Sequence, residues 1–76
     1  MQITMEAARR QAGYTQKEAG KLFGVHYQTI GSWEKDNTKM PYSQIAKIPK
    51  IYGVASDDIF FGTKNEFIRL SREARK

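Results

Sequence analysis

The sequence predicts an all-α fold of five helices in a single small domain. Apolar residues recur at helical spacing in five successive segments, and glycines or capping residues separate these segments. No segment shows the alternation of apolar and polar residues that is typical of a strand. With 76 residues, the chain is long enough for one hydrophobic core and too short for two.

The first three helices have clear start and stop signals. They are predicted over 4–12, 16–23 and 27–35. Thr4 and Thr15 are suitable N-caps for the first two helices, and Gly13 and Gly24 follow their last turns. Because only about three residues separate the second helix from the third, these two helices must cross steeply.

The middle of the chain is less regular. Residues 36–42 collect turn formers and predict a loop. A fourth helix over 43–52 follows, and Pro49 must kink or split it because proline removes a backbone hydrogen bond. Ser56 and the two acids after it predict a short fifth helix that ends at Gly62.

The last segment, 63–76, is either a sixth helix or a frayed tail. Its apolar residues Phe67, Leu70 and Ala74 share one helical face. We therefore expect a helical domain over 1–62 followed by a basic C-terminal tail or helix. Residues 1–62 carry 8 basic and 6 acidic residues, whereas 63–76 carry 5 basic and 2 acidic residues. Most of the net charge of +5 thus lies in the C-terminal segment.

Composition excludes several classes of protein. Without cysteine, the chain cannot form disulfides, thiolate zinc sites or a catalytic thiol. His26 alone cannot hold a metal ion, and no arrangement of acids, nucleophiles or phosphate-binding loops predicts an enzyme or a cofactor. No apolar segment is suited to a membrane span or a signal peptide, so we expect a cytoplasmic protein. The basic balance instead suits a polyanionic partner such as nucleic acid.

The strongest functional pattern lies in residues 15–36. Two helices that cross closely need a small residue where their backbones meet and a glycine that can adopt positive φ at the turn. Gly20 and Gly24 occupy these two positions. The apolar residues expected to point inward are Ala19, Phe23, Val25, Ile30 and Trp33. Seven positions therefore fit one geometric template.

Further residues extend this pattern: Thr15-Gln16, Glu18, Gly24-Val25, Gln28-Thr29-Ile30, Trp33-Glu34, Tyr52-Gly53-Val54 and Asp57-Asp58-Ile59-Phe60-Phe61-Gly62. With them, the chain resembles the phage repressor and Cro-type (XRE-like) helix-turn-helix family over about residues 3–62. This resemblance implies a sequence-specific, repressor-like regulator of phage or mobile-element type. Its partner would be double-stranded DNA, bound as a homodimer with 27–35 as the recognition helix in the major groove.

The recognition helix has an inward and an outward face. Ile30 and Trp33 define the inward face at about 100° per residue. The outward face carries Gln28, Gly31, Ser32 and Lys35. We expect Gln28 to read a base, because a primary amide can form two hydrogen bonds with adenine. The complete set of expected base-reading residues is Tyr27, Gln28, Thr29 and Ser32.

Phosphate contacts are expected around this helix, from Gln16, His26, Lys35, Asn37 and Lys39. The resemblance implies that Gln16 binds the DNA backbone at the start of the second helix, where free N–H groups also favour an anion. His26 stands at the cap of the recognition helix, and the other three residues lie at or beyond its end. The resemblance further implies that Arg9 and Glu34 form a buried structural ion pair.

An alternative function is a protein-interaction module, such as an antirepressor or regulatory partner that pairs with a heterologous helix-turn-helix repressor. Tyr27, Gly31 and Asp36 motivate it, because Asp36 places negative charge at a helix C-terminus and near the DNA. For the homodimer on DNA, the fifth helix and the tail are the expected dimer surface. These segments contain more apolar side chains than a small core can bury, namely Phe60, Phe61, Phe67 and Leu70.

Overall fold

The computed structural model describes residues 2–74, and this range contains six α-helices and one 3-10 turn. The first three helices are α1 (Met5–Gln11), α2 (Gln16–Phe23) and α3 (Tyr27–Lys35). The others are α4 (Tyr42–Ile45), α5 (Ile48–Tyr52) and α6 (Lys64–Ala74), with the 3-10 turn at Ser56–Asp58. The all-α prediction is confirmed. The expected tail is described only to residue 74.

Threonine side chains start three of these helices. Thr4 Oγ1 accepts a hydrogen bond from an amide in the first turn of α1 at 3.1 Å. Thr15 and Glu18 form a reciprocal capping box at α2, with distances of 3.1 and 2.9 Å. Thr63 and Glu66 form the same pair of bonds at α6, both at 3.1 Å. The segment after 63 is therefore a capped helix rather than a frayed tail as far as it is described.

The predicted fourth helix is two short helices. α4 ends at Ile45 and α5 begins at Ile48. Pro49 lies in the first turn of α5, where its missing N–H removes no helical hydrogen bond, so the break precedes the proline. The turn between the helices carries Lys47, whose Nζ donates to the carbonyl of Phe23 at 3.2 Å. The lysine thus provides a hydrogen-bond donor for a free backbone carbonyl at the C-terminal end of α2, where a positive charge is also favoured by the helix dipole.

The predicted fifth helix is wrong beyond the 3-10 turn at Ser56–Asp58. The chain becomes extended at Ile59, with φ −96° and ψ 131°. The amide of Ile3 donates to the carbonyl of Asp58 at 2.8 Å, and the amide of Phe60 donates to the carbonyl of Ile3 at 2.9 Å. Ile59 is completely buried beside this isolated parallel bridge. Backbone groups that a helix would need are thus paired with the start of the chain.

One hydrophobic core fixes α2 and α3 against the remaining helices. It consists of Met5, Ala8, Ala19, Phe23, Ile30, Met40, Ile48, Tyr52 and Ile59. The ring of Phe23 meets those of Trp33 and Tyr52 edge-on, with centroids 5.9 and 5.3 Å apart. Trp33 and Val25 are half-buried at the edge of this core. No described helix is long and apolar enough to cross a membrane.

Helix α6 contacts the body mainly through its first turns. The ring of Phe67 packs on that of Phe60, with centroids 5.3 Å apart, and both side chains are half-buried. Ile68 and Leu70 are 43% and 46% exposed, and Phe61 is 37% exposed. Of the residues predicted to form the dimer surface, Phe60 and Phe67 therefore anchor α6 to the body. Phe61 and Leu70 remain exposed to solvent.

Candidate nucleic-acid interface

The turn between α2 and α3 requires two glycines for different reasons. Gly24 ends α2 with φ +75°, a left-handed conformation that favours glycine. At Gly20 the limitation is space, because a Cβ atom would lie 2.7 Å from the carbonyl oxygen of Val25 and 3.2 Å from the amide nitrogen of Tyr27. The amide of Val25 donates to the carbonyl of Gly20 at 2.8 Å. This hydrogen bond keeps the backbone of the turn close to Gly20.

We expect Gly20→Ala to lower the free energy of unfolding by about 1–3 kcal/mol, because the added methyl group must displace backbone atoms. Gly31→Ala is the matched control within α3. Its Cβ would meet only the Gln16 side-chain amide, at 3.5 Å, so we expect a gain of up to about 1 kcal/mol from helix propensity. Urea unfolding of both variants tests the difference, and equal changes would contradict it.

The start of α3 is capped by His26. Its Nδ1 atom accepts a hydrogen bond from the amide of Gln28 at 3.1 Å, in the position where Ser or Thr often caps a helix. The imidazole ring also contacts the ring of Tyr27, with centroids 4.5 Å apart. His26 is exposed at this end of α3.

A buried ion pair joins α1 to α3. Arg9 Nε lies 2.6 Å from Glu34 Oε2, and Nη2 donates to Glu34 Oε1 at 3.2 Å. Arg9 Nη1 donates to the carbonyl of Tyr14 at 2.8 Å, and Gln16 Nε2 donates to Glu34 Oε1 at 3.1 Å. Glu34 therefore links α1, α2 and α3 at one point.

Arg9 and Tyr52, two groups at this ion pair, both have raised pKa values. The hydrogen bond that Arg9 donates to the Glu34 carboxylate raises the pKa of Arg9 above its already high value. Burial raises the pKa of Tyr52 to about 12, with a smaller contribution from the negative charge of Glu34. The Tyr52 hydroxyl is buried and has no hydrogen-bond partner among the described residues. Arg9 stays charged and Tyr52 stays neutral at physiological pH, so neither acts as a pH switch.

An open concavity of about 580 Å³ lies beside the outward face of α3. The structure brings five predicted DNA-contacting residues together around it: Gln16, Tyr27, Gln28, Ser32 and Lys35. Glu6, which the sequence pattern did not predict as part of this site, also lines the concavity from α1. Its carboxylate lies 2.9 Å from Arg10, as that of Glu34 lies beside Arg9, so both acids near the concavity have a cationic partner.

The loop after α3 is organised by Asp36. Its Oδ1 atom accepts hydrogen bonds from the amide and hydroxyl of Thr38, at 3.0 and 2.7 Å. These bonds, the side-chain one first, lower the pKa of Asp36. The acid therefore stays charged and shapes the loop that leads to the exposed Lys39. His26, Thr29 and Lys39 do not line the concavity, and Thr29 is half-buried.

The predicted phosphate contact by Asn37 is corrected to a structural role. Asn37 is only 3% exposed. Its Nδ2 donates to the carbonyl of Phe60 at 3.1 Å, and its Oδ1 accepts from the amide of Gly62 at 2.9 Å. Both ends of the side-chain amide are thus used inside the protein, and the residue connects the end of α3 to the segment before α6.

Comparison with known families identifies this arrangement. A family model described as "Helix-turn-helix" matches residues 5–59, from the start of α1 to the buried Ile59. The chain belongs to the repressor/Cro-type helix-turn-helix family. The prediction of a DNA-binding helix-turn-helix domain of the transcriptional-regulator type is confirmed at the level of the family.

A curated relative is similar to this helix-turn-helix chain. The "HTH-type transcriptional regulator ImmR" of Bacillus subtilis (strain 168) is 30% identical over 53 residues. The match covers 70% of this chain and 42% of that protein. The helix-turn-helix chain therefore spans less than half of the relative's length, and the similarity concerns the helix-turn-helix region.

Proposed function

We propose that this helix-turn-helix chain is a sequence-specific, repressor-like regulator of phage or mobile-element type. In this proposal α3 lies in the major groove of double-stranded DNA. The observation that carries it is the outward face of α3, where Gln28, Ser32 and Lys35 border an open concavity. Ile30 is completely buried on the opposite face, so the core holds the helix with this side towards solvent.

Each exposed group on this face suits a different contact. The amide of Gln28 can pair with an adenine edge. The Ser32 hydroxyl donates to the carbonyl of Gln28 at 3.1 Å, which leaves its lone pairs available to accept a hydrogen bond from a base. Tyr27 and Thr29 complete the proposed base-reading set. The proposed phosphate contacts are Gln16, His26, Lys35 and Lys39.

The regulator is proposed to act as a symmetric homodimer on a two-part operator. Two α3 helices related by a twofold axis would enter successive major grooves on one side of the DNA, so the half-sites would lie one helical turn apart. The exposed apolar residues Phe61 and Leu70 are candidates for the contact between the two copies.

We expect Gln28→Ala and Lys39→Ala to weaken DNA binding in different ways. Loss of the Gln28 amide removes discrimination at one base pair, by about 1–3 kcal/mol. Loss of the Lys39 ammonium weakens binding to all sequences and lowers the dependence of log affinity on log salt by about one. Lys50→Ala, at an exposed lysine of α5, is the matched charge control. Fluorescence anisotropy over a salt series measures all three variants.

Selection of bound fragments from a random DNA pool tests the proposal as a whole. We expect a palindromic sequence, bound with an affinity that falls steeply with salt. Recovery of no sequence, together with salt-independent binding, would refute it.

A second candidate function is pairing with another helix-turn-helix repressor, which would hide the DNA-binding face of that protein. Tyr27 favours it, because this aromatic residue at the start of α3 is 39% exposed. Asp36 favours it as well, because it remains charged next to that face. The ion pairs of Glu6 and Glu34 favour DNA instead, since they neutralise both acids near the concavity. Cross-linking to a second repressor without retention on DNA would select the protein-binding function.

A further inference from the structure

Lys17 lies beside the proposed DNA-binding face, yet none of the contacts proposed above includes it. It is exposed in the first turn of α2, and its Nζ atom is 5.7 Å from the centroid of the Tyr27 ring. The Tyr27 ring in turn contacts the ring of His26. One ammonium group and two rings therefore form a cluster where the starts of α2 and α3 meet.

The position of Lys17 is not explained by the stability of α2. A cation in the first turn of a helix lies at the unfavourable end of the helix dipole. Among the described residues, no carboxylate forms an ion pair with Lys17. Its ammonium group lies over the aromatic face of Tyr27, and this cation–π attraction is modest at an exposed site. The lysine is thus placed where it gains little from the fold itself.

Lys17 lies next to residues that line the concavity of the proposed DNA interface. Lys17 follows Gln16, which lines the concavity beside α3, and Tyr27 lines the same concavity. A free lysine side chain samples many rotamers, and ordering it on binding costs entropy. The ring of Tyr27 restricts the ammonium group to the side of α2 that faces the start of α3.

We propose that Lys17 is an additional contact to the DNA backbone, and that Tyr27 is a positioning residue that holds its ammonium group towards a phosphate. This inference rests on the proposed binding of DNA by α3. Lysine binds phosphate as a compact charge without strict geometry, so a ring that limits its rotamers is sufficient to place it. Tyr27 would then act through Lys17 in addition to any contact of its own with a base.

The test compares Lys17→Ala, Tyr27→Leu and the double variant on a mixed-sequence DNA duplex of about 30 base pairs, roughly three helical turns. Lys21→Ala is the matched control, because Lys21 is exposed one turn later on α2. We expect Lys17→Ala to lower affinity about 5–10-fold at moderate salt and to reduce the salt dependence by about one.

In the Tyr27→Leu background, the same change should lower affinity less than about 3-fold. Lys17→Arg should retain binding, since arginine keeps both the charge and the contact with the ring.

A spectroscopic measurement reports positioning without DNA. The ε-methylene protons of Lys17 should show an upfield ring-current shift in the native chain, and this shift should disappear in Tyr27→Leu. If native protein binds the duplex with steep salt dependence but Lys17→Ala matches Lys21→Ala, the inference about Lys17 is overturned and the proposed function stands. If native protein binds neither this duplex nor any selected sequence, the proposed function fails, and the inference with it.

Discussion

Arg9→Ala is expected to lower the free energy of unfolding by about 3–5 kcal/mol, because Glu34 would be left as a buried carboxylate without its cation. The two side chains are only 9% and 6% exposed. A domain of this size has a total stability of roughly 4–11 kcal/mol, so the variant should be close to unfolding at physiological temperature. Urea unfolding followed by circular dichroism measures the loss.

The next residue in the sequence provides the matched control. Arg10 is 71% exposed and pairs with Glu6 one turn earlier, so Arg10→Ala should cost no more than about 0.5 kcal/mol. A double variant, Arg9→Met with Glu34→Met, should be more stable than Arg9→Ala because no buried charge remains. Equal losses for Arg9→Ala and Arg10→Ala would contradict the structural role of the buried pair.

Asn37→Ala should lower the free energy of unfolding by about 2–4 kcal/mol. It leaves the carbonyl of Phe60 and the amide of Gly62 without their partner, and an unsatisfied buried group costs about 1–3 kcal/mol. Asn65→Ala, at an exposed position of α6, should change stability by less than about 0.5 kcal/mol. Thermal unfolding of both variants measures the difference, and an unchanged midpoint for Asn37→Ala would contradict it.

The same variant separates the structural role of Asn37 from a contact with DNA. Below the unfolding transition, Asn37→Ala should retain the native affinity for DNA, because the native side chain is buried. Asn37→Asp keeps an acceptor for Gly62, but it buries a charge and places an oxygen against the carbonyl of Phe60, so it should be at least as destabilising as Asn37→Ala. A clear loss of DNA affinity in the folded Asn37→Ala variant would instead support the phosphate contact that the sequence predicted.

The first three helices could be predicted because their signals are local. Thr15 and Glu18 are three residues apart, and their capping box depends only on the first turn of α2. Gly24 ends the same helix through its own φ angle. The inward face of α3 follows from helical periodicity, and Ile30 is indeed completely buried.

The remaining features depend on residues that are distant in sequence. The helix predicted after Ser56 fails at Ile59, because Ile3 pairs with this segment from the other end of the domain. Asn37 belongs to a turn-forming stretch, and only the fold shows that its partners lie 23 and 25 residues later. Periodicity likewise could not place Glu6 beside α3, since that position follows from the crossing of α1 and α3.

The pairing of Ile3 with the segment around Ile59 joins the two ends of the helical body to each other. Small helical domains commonly loosen first at their ends. In this chain the stretch before α1 and the stretch after the 3-10 turn are held to each other by two backbone hydrogen bonds beside a buried isoleucine. Neither stretch can separate without releasing the other, so opening should be concerted rather than progressive. We therefore expect α3 to keep its orientation until these two stretches separate.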